Sequence, residues 1–215
     1  MTDGRLSFRI LEDAGEAQTD YTLQHTKALH LFVFATDLTD FRHVHPVLDH
    51  AGVWSPDQPD LPAGRHKVVA EFDVEDDDLG PVMLGGWVSD GGEAGDQRLP
   101  SPVESVHVDD YTATVNGGLT VDTVSRLQVE ITDSDRAPVA LQPYLGSWAH
   151  AALVHGHTLA VTHLHPTEGY AEETPSPEAL HFRIGPGEVG IHRLIVGFAT
   201  DAGVHQAGLT VPRFR

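Results

Sequence analysis

The chain has 215 residues and a formal net charge of −19, from 32 acidic and 13 basic side chains, and it contains no cysteine. The absence of cysteine excludes disulfides, thiolate metal sites and cysteine nucleophiles, so a metal has to be held by histidine, carboxylate, methionine or main-chain oxygen. So acidic a composition offers no basic stripe for phosphate groups, and we expect neither nucleic acid nor anionic membrane as a partner.

The length allows one large domain or two of roughly 100 residues. No apolar run approaches the ~18 residues of a membrane span, so no membrane insertion is predicted. The chain opens with "MTDGRLSFRI", which has no apolar leader. The predicted location is therefore the cytoplasm as the sequence is written, or outside the cytoplasm if a leader has been removed.

The first half of the chain predicts short antiparallel strands. Its apolar residues alternate or form β-branched runs between Gly, Pro and Asp turns, and none keeps a helical period over twelve residues. The predicted strands, in chain order, are "RLSFRI", "ALHLFVF", "FRHVHP", "HKVVAEFDV" and the run around Trp87.

The second half repeats the first. "RLQVEI" matches "RLSFRI", "HRLIVGFAT" matches "HKVVAEFDV", and the run around Leu209 matches the run around Trp87. Histidine, with 15 residues in all, recurs with the spacing H-x12-H-x-H-P in both halves. These two groups are separated by 120 residues and comprise His30, His43 and His45-Pro46, then His150, His163 and His165-Pro166.

Strands every 8 to 12 residues over about 100 residues are typical of a sandwich of two packed sheets. The sequence therefore predicts an all-β fold of two tandem Ig-like antiparallel β-sandwich domains that arose by internal duplication. The first domain spans residues 1–90, a polar, Gly- and Pro-rich linker spans 91–110, and the second domain spans 111–215.

A hairpin around "ATDLTD" predicts that the first three histidines converge. If Ala35 pairs with Asp40, the numbers of opposed residues sum to 75, and His30 lies opposite His45. His43 is then on the same face, two residues back along the strand. Any odd sum places all three histidines on one face, whereas an even sum turns His30 to the other face. Imidazole nitrogens so placed could meet one ion at ~2.0–2.1 Å.

Three histidines leave at least one coordination position open. In the first half His25 is the best fourth ligand, followed by His50 and Met83; in the second half the alternatives are His181 and His205, and water could serve in either. The Gly-turn histidines, His66 and His192, are interpreted as structural. Three more are left outside the sites, namely His107, His155 and His157.

At "LQPYLGSWAH" followed by "THLHP" the sequence resembles a group of bacterial His-rich two-domain β-sandwich proteins labelled heavy-metal-binding or YtkA-like. The further matching motifs are "HTKALHLFVF", "DLTDFRHVHP", "LPAGRHKV" and "YTATVNGGLT". The resemblance implies Ig-like sandwiches that bind a transition metal, usually copper. It places seven histidines at motif positions: His30, His43, His45, His150, His163, His165 and His25.

Three functions follow as hypotheses. The first is a transition-metal-binding protein for capture, delivery or resistance, with copper favoured because Cu(II) leads the divalent affinity order, zinc as the alternative, and a metal-donating or metal-accepting protein as partner. The second is a metal-dependent enzyme whose three-His site keeps an open position for copper redox or zinc hydrolytic chemistry. The third is a non-catalytic adhesion or scaffold module.

Overall fold

The computed structural model describes residues 6–56, 61, 64–75, 80–89, 99–171 and 174–215. Every regular secondary-structure element within these ranges is a β-strand, which confirms the predicted all-β class. The same ranges contain no helix of the length and apolarity that crossing a membrane requires. Contacts divide the chain into two compact units, Met1–Arg98 and Leu99–Arg215.

The first unit is built on an antiparallel sheet with the order β1-β6-β2-β3, in which β7 also pairs with β6. The strands β4 and β5 form a separate two-stranded ribbon. The strands are β1 (Tyr21–Thr22), β2 (Leu29–Ala35), β3 (Phe41–Val44), β4 (Val47–Leu48), β5 (Trp54–Ser55), β6 (Arg65–Val74) and β7 (Val82–Ser89).

One apolar cluster of the first unit lies on one face of this sheet. Alternate residues of β2, Leu29, Leu31 and Val33, are buried there against Trp54 and Phe72. The residues between them, including His30, therefore point to the opposite face. That face carries His30 together with Phe32 and Phe34, which are fully buried, so β2 is buried on both faces.

The hairpin of β2 and β3 has the predicted register. Leu31 pairs with Val44 and Phe34 pairs with Phe41, and the Ala35 amide donates to the Asp40 carbonyl over 2.9 Å. The paired numbers sum to 75, which places His45 opposite His30 and His43 on the same face.

The second unit is one sheet with the order β12-β11-β14-β15-β9-β10-β13, to which β8 adds beside β9. Its strands are β8 (Ser105–Val108), β9 (Tyr111–Thr120), β10 (Ser125–Thr132), β11 (Ala149–His155), β12 (Val161–Leu164), β13 (Leu180–Ile184), β14 (Gly190–Thr200) and β15 (Gly203–Phe214).

This sheet is nearly closed, like a barrel. The long strand β15 reaches β9 through a short parallel pairing of Arg213 with Leu119, which joins the two antiparallel halves. At the other side the Thr167 amide, just after β12, donates to the His181 carbonyl on β13 over 2.7 Å. The second unit thus differs from the predicted pair of separate sheets, and the Ig-like arrangement stays a prediction.

The interior of the barrel-like sheet holds the second core. Strand β10 reads alternately buried and less buried, with Leu127, Val129 and Ile131 pointing inwards, as period-2 patterning requires. Phe182 of β13 and Phe198 of β14 are fully buried against them. Branched and aromatic residues at alternate positions therefore explain why these segments form strands.

The predicted linker over 91–110 differs from the structure at its C-terminal end. Residues 105–108 form β8, because the alternating "SVHV" pairs with the start of β9. Residues 91–98 of that linker lie outside the described ranges.

The hairpin of β11 and β12 has the same relative register as that of β2 and β3. Ala151 pairs with Leu164, and the His155 amide donates to the Ala160 carbonyl over 2.9 Å. Each of these positions lies 120 residues after its counterpart in the first hairpin, so His165 is placed opposite His150.

Candidate metal centres

The first group of histidines, the first triad, consists of His30, His43 and His45. His30 follows the first residue of β2, His43 lies on β3, and His45 comes directly after β3, next to a proline that cannot donate to a strand partner. The ring centroids are 4.7 to 5.3 Å apart, so the predicted convergence of the three rings is present.

The nitrogens of the first triad point at one another. His30 Nδ1 lies 3.0 Å from His43 Nε2 and 3.1 Å from His45 Nε2. One potential ligand atom from each residue lies within 4.8 Å of those of the other two. Because an imidazole nitrogen has a single in-plane lone pair, His30 Nδ1 can accept one good hydrogen bond but is approached by two rings. That arrangement suits a shared cation.

A main-chain oxygen orients His30. Its Nε2 lies 2.9 Å from the Gln24 carbonyl oxygen, so the Nε2–H donates there and the Nδ1 lone pair faces the other two rings. Metal-binding histidines commonly use their second nitrogen in this way, which sets the tautomer. Gln24 was not predictable from the sequence, because a main-chain acceptor has no side-chain signature.

A tight turn presents this oxygen. Gln24 and Lys27 exchange main-chain hydrogen bonds of 2.8 and 3.0 Å around two central residues with positive φ, His25 at 48° and Thr26 at 70°. Two consecutive positive φ angles are characteristic of a type I′ turn. The turn brings the chain back beside the start of β2, within reach of the His30 ring.

The nitrogen separations fit a transition metal. Ligand nitrogens 3.0 to 3.1 Å apart subtend about 95° at an ion held at ~2.0–2.1 Å, between octahedral and tetrahedral angles. Three nitrogens on one side of an ion leave the other side open for a further ligand. The donor set therefore fits Cu(II) or Zn(II), both of which accept imidazole.

The second group, the second triad, consists of His150, His163 and His165. His150 Nδ1 lies 3.3 Å from His163 Nε2 and 3.0 Å from His165 Nε2, and the ring centroids are 4.5 to 5.6 Å apart. A turn again precedes the central histidine, since Tyr144 and Ser147 exchange main-chain hydrogen bonds. The second triad thus has the same order of atoms as the first.

The two triads differ in their neighbours on the sheet. Glu71 of β6 pairs with His30, whereas Gly197 of β14 pairs with His150. A directly opposed side chain has its Cβ within about 5.5 Å, so the first triad has a carboxylate beside it. The Tyr144 ring instead lies nearly perpendicular to the His150 ring, with centroids 5.5 Å apart. Glu71 was not among the residues predicted from the sequence, because only the β2–β6 register brings it to His30.

The further candidates of the first unit lie at different distances from the triad. The ring of His25 is 6.4 Å from that of His30, centroid to centroid, and its role as fourth ligand stays a prediction. His50 is exposed in the turn after β4. Met83 pairs with Glu71, two strands away from His30, and is 39% exposed rather than buried in a core.

His205 is wrong as a ligand of the second triad. His150 pairs with Gly197, and Gly197 pairs with Gln206, so the side chains of His150 and Gln206 point to the same face of the sheet. His205 is adjacent to Gln206 and therefore points to the opposite face. There its Nδ1 is 2.6 Å from Asp109 Oδ2 and its Nε2 is 3.0 Å from Thr200 Oγ1. Both ring nitrogens are thus engaged in hydrogen bonds.

His181 is paired elsewhere as well. Its Nδ1 lies 2.6 Å from Glu168 Oε1, and its main-chain amide donates to the other oxygen of the same carboxylate over 2.9 Å. This pair links β13 to the loop after β12 and helps to close the barrel-like sheet.

The remaining histidines lie apart from the triads. His66 and His192 are both buried and pair with corresponding residues at the far ends of β2 and β11, Ala35 and His155. His155 Nδ1 accepts the main-chain amides of residues 157 and 158, both over 3.1 Å. Hydrogen bonding in a turn therefore accounts for His155.

One family model matches the chain, over residues 106–213, and its description is "Domain of unknown function (DUF8832)". The match spans half of the chain and contains the whole second triad. No curated protein matches the chain.

Proposed function

Since the chain belongs to the DUF8832 family, whose description assigns no activity, we propose its function from the geometry of the two triads. The protein binds transition-metal ions, one at each triad, and serves to capture or deliver them. Copper is the favoured metal and zinc the alternative. The ion is cargo in this proposal, and a metal-donating or metal-accepting protein is the expected partner.

The observation that carries the proposal is the surroundings of His30 Nδ1. Two other imidazole nitrogens lie 3.0 and 3.1 Å away, and the Gln24 carbonyl holds the remaining nitrogen of the ring. A histidine that only occupied a position on the sheet surface would have no reason to direct its lone pair at two further imidazole rings. Imidazole-only ligation suits Cu(II), which leads the affinity order of divalent ions, and also suits zinc.

The matched hairpins support a common origin of the two sites. We infer that they descend from one duplicated element, because both keep the same register across different turn sequences and both place a two-residue turn before the central histidine. The resemblance to heavy-metal-binding proteins is part of the same proposal.

The test is the metal content of purified protein. Protein stripped with a chelator, incubated with excess Cu(II) or Zn(II) and desalted is expected to retain two equivalents by elemental analysis. The His43→Ala/His45→Ala variant is expected to retain one, and so is His163→Ala/His165→Ala. His50→Ala, which removes an exposed histidine outside the triads, is the matched control and should retain both.

Two results would overturn the proposal. One is unchanged loading in both double variants, which would place the metal elsewhere. The other is wild-type protein without stoichiometric metal under all loading conditions. Because the His43 ring stacks on Phe32, with centroids 4.6 Å apart, circular dichroism of each variant has to show an intact fold before loading is compared.

A further inference from the structure

A pocket of about 390 Å³ opens at one end of the second unit's sheet. It lies between β11, the start of β14, the loop before β14 and the last residues of β15. Leu153 and Ile184 form part of its apolar wall and belong to the core of the unit. The pocket is therefore an accessible extension of the core.

This pocket is separate from the second triad. His155, which lines the pocket, follows His150 by five residues along β11, or roughly 16 Å at the rise of a strand. Residues an odd number of positions apart also point to opposite faces of a sheet. The triad and the pocket therefore use opposite faces and opposite ends of one strand.

Arg213 is the cation of the pocket. Its residue is only 4% exposed, and its Nε is buried without a hydrogen-bond partner. Within the ranges that the structure describes, no carboxylate forms an ion pair with it. The Nη1 end of its guanidinium lies beside Gly187, where a Cβ would overlap it. A buried, always-charged group without an anion is costly, and this cost falls when an anion binds.

The histidines of the pocket contribute no charge. His192 Nδ1 donates to the Gly190 carbonyl over 3.2 Å, and burial lowers the pKa of His192 to about 4. His155 accepts two amides at Nδ1 and donates from Nε2 to the Val189 carbonyl over 3.3 Å, which is the neutral tautomer. Glu188 also lines the pocket but does not pair with Arg213.

We propose that this pocket binds a small organic carboxylate, whose oxygens pair with the Arg213 guanidinium and whose apolar part lies against Leu153 and Ile184. The fork of an arginine matches the two oxygens of a carboxylate, and the core-like wall provides burial for a hydrocarbon body. The volume admits a molecule of the size of a single aromatic acid. This site is independent of the proposed metal binding.

The probe is benzoate, titrated into metal-free full-length protein and followed by calorimetry and by the ¹⁵N resonance of the Arg213 side chain. Saturable binding of one benzoate and a shift of that resonance are expected. Arg213→Met should weaken binding at least tenfold, because it removes the charge-assisted pair. Arg213→Lys, which keeps the charge but loses the fork, should fall between the two.

The controls separate carboxylate recognition from general affinity. Benzamide, a neutral molecule of the same shape, should bind at least tenfold more weakly than benzoate. Arg126→Gln, which removes an exposed arginine on β10, should leave benzoate binding unchanged. Equal binding of benzamide, equal binding by Arg213→Met, or tighter binding of inorganic phosphate than of benzoate would each overturn the proposal.

Discussion

Asp109 accepts the first hydrogen bond of a chain that leads to buried groups of the second unit. Its replacement should destabilise that unit by an amount that depends on the substituent. Asp109 Oδ2 is 2.6 Å from His205 Nδ1, and His205 Nε2 is 3.0 Å from Thr200 Oγ1. Tyr111 Oη is in turn 3.0 Å from the same hydroxyl. The chain ties the turn before β9 to the turn between β14 and β15.

Three substitutions separate two contributions at this position. The side chain of Asp109 is 61% exposed and that of His205 only 7%, so the carboxylate is partly screened while its partner is not. Asp109→Asn keeps an acceptor and loses the charge, and should cost about 1 kcal/mol. Asp109→Gly leaves the buried Nδ1–H without its acceptor, and should cost about 1–2 kcal/mol.

Asp109→Ala adds a backbone term. Asp109 has a φ of +51°, which alanine adopts at a cost of about 1 kcal/mol relative to glycine. The free energy of unfolding should therefore fall in the order Asn, Gly, Ala, with alanine losing about 2–3 kcal/mol in total.

Amide hydrogen exchange in β9 and β15 is the suitable measurement, because it reports the opening of the second unit alone. Asp110→Ala, which changes the exposed neighbour, is the control and should change stability by less than about 0.5 kcal/mol. The reasoning is refuted if Asp110→Ala costs as much as Asp109→Ala, or if the asparagine and alanine variants are equally stable.

Two further effects follow from the structure. Since the pKa of His192 is about 4 in the folded protein against 6.5 ordinarily, the unfolded chain binds more protons at this residue between these values. The contribution of neutral His192 to stability is therefore full above pH 6.5 and falls by at most about 3 kcal/mol as the pH drops to 4. His192→Phe should flatten the dependence of the urea midpoint on pH over this window, whereas the exposed-residue control His157→Gln should not; an unchanged slope in His192→Phe would contradict the assignment. Gly117→Ala should lose at least about 2 kcal/mol, because φ is +103° and a Cβ would lie 2.5 Å from the Arg126 carbonyl oxygen. Gly118→Ala, where a Cβ meets nothing within 4 Å, is its control, and equal urea midpoints for the two variants would exclude the steric explanation.

The triads could be predicted because their geometry depends on local sequence. A hairpin with Ala35 opposite Asp40 determines by parity alone which side chains share a face, and the spacing H-x-H keeps two of them together. The second half keeps the same spacing across a different turn sequence, and its hairpin has the same relative register. Short-range pairing and period 2 therefore predicted both groups for any odd register, and the structure shows that the register is odd in both hairpins.

Other parts of the sites depend on long-range pairing and were not predictable. Glu71 reaches His30 only through the β2–β6 register. Nothing in the sequence around either residue indicates that the two are paired. His205 was named as an alternative ligand because the alignment with the first half gave its approximate place along β15 but not the face to which it points. The pairing of Arg213 with Leu119, which makes the second sheet continuous, joins segments far apart in the sequence.

The role of the Gln24 carbonyl has a consequence for tracing related proteins. Every amino acid supplies such an oxygen, so the orientation of the ring does not by itself require a particular side chain at this position. A comparison of sequences among relatives would then identify the histidines but not the main-chain carbonyl that orients one of them. A search for further members with this site should accordingly compare the path of the main chain ahead of the first histidine, and a redesign of the site should preserve that turn before any side chain is chosen.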